Sequence, residues 1–476
     1  MPEGLDSDCL KKKDNTKLSF KIKSIYGMGS LANCVMSSIL FTLAMPIYNI
    51  GLGVSPVLVG MALSVPRFWD AVIDPFMGNL SDNTRTRWGR RRPYIFIGAV
   101  LTGICCAAIW RPPAFLNETG LFIYLLVTSI IFFTTFTVFT VPYAALGMEL
   151  TTDYDERTSV MAYKTFFQSM SAALIMPFAY KLCFYSGFGS NEVEGVRTVG
   201  LLFGGFIIIT GILPAIFTKE NAVVQRQSKI KLISAVRYTL KDKPFMMLSA
   251  ATFLIILGLF IILPLQSYMC IFYVFNGNRD AAATVLAGHG VAYGVMAMVS
   301  VPIITWLSKK WGKKGTLMVG LVLISFLFLS SWFLFTPKHP YLQILFSALR
   351  APEMCFIWIL TSSMIADVCD IDELATGLRR EGMFGAIFSW VFKLALAFAM
   401  LVSGWIVKFS GLDTSLDGPQ TLDTINKLRI NFAIIPGLFM VAAFIFLMLY
   451  PISKKRILEV RAILNERKAE SNKSDI

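Results

Sequence analysis

Three ionisable residues share one helical face in an otherwise apolar stretch of this chain. They are Arg67, Asp70 and Asp74, within Arg67-Phe68-Trp69-Asp70-Ala71-Val72-Ile73-Asp74-Pro75, and residues three and four apart are neighbours on an α-helix. A charge at membrane depth costs roughly 2.5–3.5 kcal/mol even on lenient insertion scales, so such a face needs a partner, a cavity or a task. Paired carboxylates can bind a cation. A proton needs only one carboxyl, in a low-dielectric site beside a like charge; Na+ needs several further oxygen ligands. A helix-packing ion pair with no other role is the alternative. A face of this kind cannot point at lipid, and a polar interior running through a membrane bundle points to the passage of solutes.

The rest of the chain must hold that face in a bilayer, and its composition is suited to the task. Its 476 residues are 55% hydrophobic and 16% charged, against about 25% charged in soluble domains; mean hydropathy is +0.63. No Lys, Arg, Asp or Glu occurs from Ser24 to Pro66, from Gly120 to Met148 or from Pro244 to Gly277, and each run exceeds the ~20 residues of a transmembrane helix. Apolar stretches between polar breaks predict about twelve spans. Their centres fall near Ile39, Ile73, Leu101, Phe133, Leu174 and Ile207, then Ile255, Met296, Ile324, Trp358, Ala397 and Met440. The first stretch, from Ile25 to about Asn49, reads as a spanning helix rather than a cleaved signal.

The net charge of +14 is distributed as topology rather than as a nucleic-acid surface. Basic residues gather in the N-terminal tail, at Arg85 to Arg92, from Lys219 to Lys243, at Lys309 to Lys314 and after Pro451, while Ile50–Pro56 has none and Phe275–Ala281 only Arg279. That alternation puts both termini in the cytoplasm and the chain in the cell membrane. Eight scattered cysteines, Cys9, Cys34, Cys105, Cys106, Cys183, Cys270, Cys355 and Cys369, show no metal or redox spacing and read as buried small hydrophobes. No G-x-x-x-x-G-K-[ST] loop and no hydrolytic motif is present, so neither ATP-driven transport nor an enzyme is expected. No cofactor is expected beyond a coupling ion.

The two halves echo each other. Leu80-Ser81 and Trp88-Gly89-Arg90-Arg91 in the first resemble Leu307-Ser308 and Trp311-Gly312-Lys313-Lys314 in the second. A parallel duplication with a basic turn after the second span of each half fits the major facilitator architecture. The expected fold is therefore an all-α membrane protein with twelve transmembrane helices in two six-helix bundles. The expected boundaries are a tail over 1–24, bundles over 25–217 and 244–451, a cytoplasmic linker over 218–243 and a tail over 452–476.

From Tyr26-Gly27-Met28-Gly29 onward the chain resembles the glycoside–pentoside–hexuronide:cation symporters, the family that includes melibiose permease. The most specific parts are Arg67-Phe-Trp-Asp70-x-x-x-Asp74-Pro, Thr84-Arg85-Thr86-Arg87-Trp88-Gly89, Trp358 with Met364-Ile-Ala-Asp367, and Phe392-Lys393. The resemblance implies a cation site at Asp70, Asp74 and Thr137, with Na+ as the only metal in question. It also implies a lysine, Lys393, near those carboxylates, a basic residue opening the fifth helix at Lys164, and a sugar-lining aromatic at Trp358. The basic turns, with Arg87, Arg90, Arg91, Lys313 and Lys314, are read by the same analogy as gating latches; Asp82, Asp367 and Asp370 are their expected partners, and plain topology is the alternative.

Three positions depart from melibiose permease. Ile73 replaces an asparagine of the sodium site, so the desolvation argument favours a proton. Cys34 and Thr140 replace two aspartates that grip galactoside hydroxyls, which argues against melibiose itself. Tyr143 joins Arg67, Cys34, Thr140, Lys164, Trp358 and Lys393 as an expected substrate contact, because aromatic faces stack on sugar rings. Within the spans, Arg67, Lys164, Arg350 and Lys393 outnumber Asp70, Asp74 and Glu353 by one positive charge, which an acidic sugar such as a hexuronide would balance. Mutual neutralisation is one reading of Arg350 and Glu353, and His289 reads as a structural histidine. The expected function is cation-coupled sugar symport by alternating access, by a chain acting as a monomer with a small-molecule sugar, a coupling cation and the bilayer as its partners. A lysolipid carrier on the same scaffold and a non-transporting membrane sensor are the alternatives.

Overall fold

In a bilayer, a charge-free apolar run can satisfy its backbone internally only as a helix or a closed barrel, and here it is helical throughout. The structure is a computed structural model that describes residues 18–151, 154–220, 242–376, 381–413, 416 and 418–474. Among these residues every regular element is a helix, apart from an isolated bridge between Thr86 and Gly89. The chain divides into two compact units, Met1–Gln227 and Ser228–Ile476. Most of the expected linker (221–241) and of the N-terminal tail (1–17) lies outside the described residues.

In unit 1 the spans are α1 (Phe20–Ala44), α2 (Pro56–Asn83), α3 (Arg92–Ile109), α4 (Glu118–Glu149), α5 (Tyr154–Leu174) and α6 (Glu192–Phe217). Asn117 and Asn191 begin α4 and α6 by accepting the N–H of Gly120 and Glu194, which satisfies donors a helix start leaves over. Leu174 ends α5 rather than centring it. After it a 3-10 turn at Met176–Phe178 leads into a short helix, Ala179–Leu182, because Pro177 has no N–H to continue an α ladder.

Unit 2 holds α7 (Lys243–Tyr268), then one continuous helical run, Arg279–Leu334, that bends at Gly312. Its arms, 279–311 and 313–334, are α8 and α9. The tenth span, α10 (Leu342–Thr376), is broken into pieces: Leu342–Arg350, Pro352–Cys355, a π-helical turn at Phe356–Thr361, and Ser362–Thr376. It is followed by α11 (Glu381–Phe409), α12 (Leu422–Leu449) and a polar terminal helix, α13 (Lys454–Ser474). Among the described residues, α1 to α12 are the spans, and α5 is the one of them too polar to register by hydropathy.

The duplication is visible in packing as well as in sequence. In unit 1, α1 packs on α5 and α6, and α3 packs on α6; in unit 2, α7 packs on α11 and α12, and the α8–α9 run packs on α12. The equivalent helices α1 and α7 both close in a π-helical turn, Met45–Gly51 and Met269–Val274. Gly89 and Gly312, partners in the sequence repeat, both take positive φ, 110° and 77°, a conformation costly for any residue with a Cβ.

Candidate functional site

Arg67 and Asp70 are 5% and 2% exposed, although they lie in the middle of an apolar helix. Their Nη1 and Oδ2 are 3.5 Å apart. Phe133 of α4 and Phe41 of α1 cover the guanidinium, 4.0 and 4.6 Å from ring centroid to Cζ, and Arg67 Nη2 also reaches the Ser37 carbonyl at 3.4 Å. Aromatic faces of this kind hold a cation where water is scarce. The Thr137 hydroxyl of α4 donates to Asp70 Oδ1 and stands 3.3 Å from Asp74 Oδ1. Pro75 follows Asp74 inside the helix and leaves the Ala71 carbonyl without its ladder donor. The three cation-site residues expected from sequence thus meet, and Ile73 stands half-buried beside them as an apolar side chain with nothing to coordinate.

The remaining unit 1 residues form a second group between α1, α4 and α5. Thr140 donates to Asn33 Oδ1 at 2.7 Å, Cys34 is 4% exposed, and Lys164 holds its Nζ 5.8 Å from the Tyr143 ring. Tyr143 itself has no open face. It stacks on Tyr26 at 4.8 Å and on Phe139 at 5.2 Å, and it donates to the Tyr26 carbonyl at 2.7 Å while Tyr26 donates to the Tyr143 carbonyl at 3.2 Å. This corrects the expectation of a sugar-stacking ring: Tyr143 clasps α4 to α1. Asn33 was not anticipated, because a lone asparagine in an apolar span signals nothing until its partner is known.

In unit 2, Trp358 is 56% exposed and rides on the π-helical turn of α10, 5.2 Å from Phe392 of α11. Lys393, next to Phe392, is half-buried. Trp358 therefore offers the open aromatic face that Tyr143 lacks.

The basic turns engage more partners than sequence suggested. In unit 1, Arg91 pairs with Asp82 at 2.9 Å and Glu149 at 2.7 Å, and Arg90 reaches Glu149 at 3.3 Å. Glu220 accepts the backbone N–H groups of Arg90, Arg91 and Arg92 at 2.8, 2.7 and 3.2 Å, the place where a helix start favours an anion. Arg92 meets the carbonyls of Ala215 and Ile216, near the end of α6, at 2.6 and 2.8 Å. In unit 2, Lys313 pairs with Asp367 at 2.6 Å, Lys314 donates to the Tyr450 carbonyl at 2.6 Å, and Arg461 of α13 reaches Asp367 and Asp370 at 3.0 and 2.9 Å. Arg87 is exposed at the tip of its turn. Glu149, Glu220 and Arg461 are thus partners of the basic turns that the sequence did not single out. Among the described residues no cluster of His, Cys, Asp or Glu could hold a metal ion, and the described cysteines are free thiols.

Comparison with known proteins agrees with this architecture. A family model described as MFS/sugar transport protein matches residues 25–454. An uncharacterized symporter of Bacillus subtilis, YnaJ, is 28% identical over 451 residues, covering 92% of this chain and 93% of that protein. A glucuronide carrier protein homolog of Escherichia coli is 24% identical over 468 residues, covering 95% and 97%. Among solved structures, a D-xylose-proton symporter superposes with a TM-score of 0.64 at 14% identity, covering 90% of this chain and 97% of that one, a likeness of fold. These relatives are transporters rather than enzymes. The chain is a multi-pass membrane transporter that belongs to the MFS/sugar transport family, among the glycoside–pentoside–hexuronide:cation symporters.

Proposed function

We propose that the protein couples the movement of a cation to the uptake of a sugar or glycoside, and that its preferred solute carries a carboxylate, as a hexuronide does. The observation that carries this reading is the convergence of Arg67, Asp70, Asp74 and Thr137 in one buried cluster. Asp70 and Asp74 bind the cation with the Thr137 hydroxyl. A proton is favoured over Na+, since Ile73 removes an oxygen ligand and a proton needs only one carboxyl.

In this reading Arg67, Lys164 and Lys393 meet the solute's charge, Thr140 and Cys34 set the size of its hydroxyl pocket, and Trp358 stacks on its ring. The one unmatched basic residue among Arg67, Lys164, Arg350, Lys393, Asp70, Asp74 and Glu353 supports an acidic solute, as does the name of the glucuronide carrier homolog. Alternating access would be controlled by the turns that carry Arg87, Arg90, Arg91, Lys313 and Lys314. The distribution of basic residues supports cytoplasmic termini, and the chain would act as a monomer without a cofactor. The test is uptake of methyl β-glucuronide and of neutral methyl glycosides into proteoliposomes, with pH and sodium gradients imposed separately. Uronide uptake driven by the pH gradient alone is expected. Sodium dependence without pH dependence would reverse the choice of ion, and displacement by neutral glycosides but not by uronides would reverse the choice of solute.

A further inference from the structure

Unit 2 buries a second acid–base cluster, remote in sequence from the cation site on α2. On α10, Arg350 and Glu353 are 4% and 2% exposed, with Nε and Oε1 2.9 Å apart. Tyr293 of α8 donates its hydroxyl to the same Oε1 at 3.2 Å. The guanidinium lies 5.4 Å from the Tyr293 ring centroid and 6.0 Å from that of Phe346. One turn away on α8, His289 meets the Gln266 amide of α7, which also donates to Ser347 of α10 at 3.1 Å.

A plain neutralising pair would leave little unsatisfied, yet four atoms here have no hydrogen-bond partner among the described residues: Glu353 Oε2, Arg350 Nε and Nη1, and His289 Nε2, although Nε keeps its ion-pair distance to Oε1. A buried ion pair is retained at low cost only when its remaining hydrogen-bonding capacity is met. The groups facing Glu353 are few. Its partners are Arg350 on its own helix and the Tyr293 hydroxyl of α8; nearby in the cluster the Cys355 thiol donates to the Ala297 carbonyl and His289 is engaged by the neutral Gln266 of α7. The neighbouring Phe335, Phe346 and Phe432 form an apolar aromatic cluster. Among the described residues no second carboxylate pairs with Glu353 and no metal-binding cluster exists, so the smallest ligand that completes Oε2 is a proton.

The position of the pair in its helix adds a consequence. Arg350 and Glu353 flank Ala351 and Pro352, where the α-helix of the tenth span breaks, and the π-helical turn carrying Trp358 starts three residues after Glu353. Such turns are places where a helix can change register. We propose that Glu353 is a second proton-binding site, loaded at Oε2, and that its occupancy sets the register of the turn that presents Trp358. The proton comes from water and leaves the carboxyl neutral. Arg350 keeps its own proton and is released from the pair. The idea rests on the reading of the protein as a cation-coupled carrier, but it places this proton on a different helix from Asp70 and Asp74.

The test is pH-dependent infrared difference spectroscopy of the full chain in lipid nanodiscs, alongside transport of methyl β-glucuronide. The wild type is expected to show a titrating protonated-carboxyl band that Glu353→Gln abolishes and Asp70→Asn retains. Tyr293→Phe is expected to keep the band but shift its frequency, because the carboxyl loses a donor. With Glu353→Gln, uptake driven by the pH gradient is expected to fall about tenfold while exchange without a gradient stays within about twofold, the pattern of a lost coupling step rather than lost binding. A spectrum in which Glu353→Gln loses no titrating band that Asp70→Asn retains overturns the proposal. If that variant does not fold, a band unmoved by Tyr293→Phe overturns it instead. If methyl β-glucuronide is not carried at all, the symport reading fails while the infrared result still decides the status of Glu353.

Discussion

Glu149 Oε1 stands 2.7 Å from Arg91 Nη2, though 58 residues separate them, and the two side chains are only 7% and 9% exposed. Asp82, the other carboxylate on Arg91, is 56% exposed. The two partners are therefore unequal. Removing the buried one strands a charge, whereas removing the solvated one costs little. Glu149→Gln is expected to destabilise unit 1 by about 2–3 kcal/mol, the range for a charged hydrogen bond lost from a buried site. Asp82→Asn is expected to cost less than about 1 kcal/mol. Thermal unfolding in detergent ranks the two, and equal losses would contradict the asymmetry.

The repeat glycines offer a sharper comparison. Both have positive φ, but a Cβ on Gly89 would lie 2.6 Å from the Glu220 carboxylate, whereas one on Gly312 would meet Lys454 at 3.4 Å. Gly312→Ala is expected to cost about 1 kcal/mol from backbone conformation alone. Gly89→Ala adds displacement of Glu220 from the start of α3 and is expected to cost about 1 kcal/mol more. Unfolding midpoints that drop more for Gly312→Ala would argue against Glu220 as the cap.

Two aromatics predicted together now separate. If Trp358 stacks on the solute as proposed, Trp358→Ala is expected to raise the half-saturating concentration of solute about tenfold or more, since that exposed ring is lost. Tyr143→Phe keeps the ring and removes the bond to the Tyr26 carbonyl, so it is expected to lower stability by about 1 kcal/mol with apparent affinity little changed. Saturation curves for uptake distinguish these outcomes; a large affinity loss in Tyr143→Phe would return that ring to the solute site.

Thr137 bridges the two aspartates through its hydroxyl. Thr137→Ser is expected to retain gradient-driven uptake. Thr137→Val keeps the shape, leaves buried carboxylate oxygen without its donor and is expected to reduce uptake about tenfold, in line with a hydrogen bond to a charged group. Initial uptake rates for the two variants check this, and equal activity would remove Thr137 from the cation site.

Much of this was legible from residue order, and the reason is local. Apolar runs, basic turns and the Arg67–Asp70–Asp74 face are all written within one or two helical turns, so hydropathy and spacing reveal them. Long-range partners are not. Glu220 caps α3 across 128 to 130 residues, and nothing near Glu220 or Glu149 marks either as a partner of the basic turn. Tyr143 reads as a solute contact because aromatic faces stack on sugar rings, yet both its faces are taken by rings, one of them far away in sequence. The break in α10 falls at Pro352, which has no N–H for the ladder, but the meeting of Glu353 with Tyr293 of α8, 60 residues away, is encoded by no periodicity.

The central claim is that Asp70 carries the coupling cation. The most direct measurement is methyl β-glucuronide accumulation in proteoliposomes by wild type and Asp70→Asn under an imposed pH gradient, with exchange in the absence of a gradient as the control. Wild type should accumulate solute above its equilibrium level, and Asp70→Asn should only equilibrate it, with exchange preserved. Accumulation by Asp70→Asn equal to that of wild type would contradict the account.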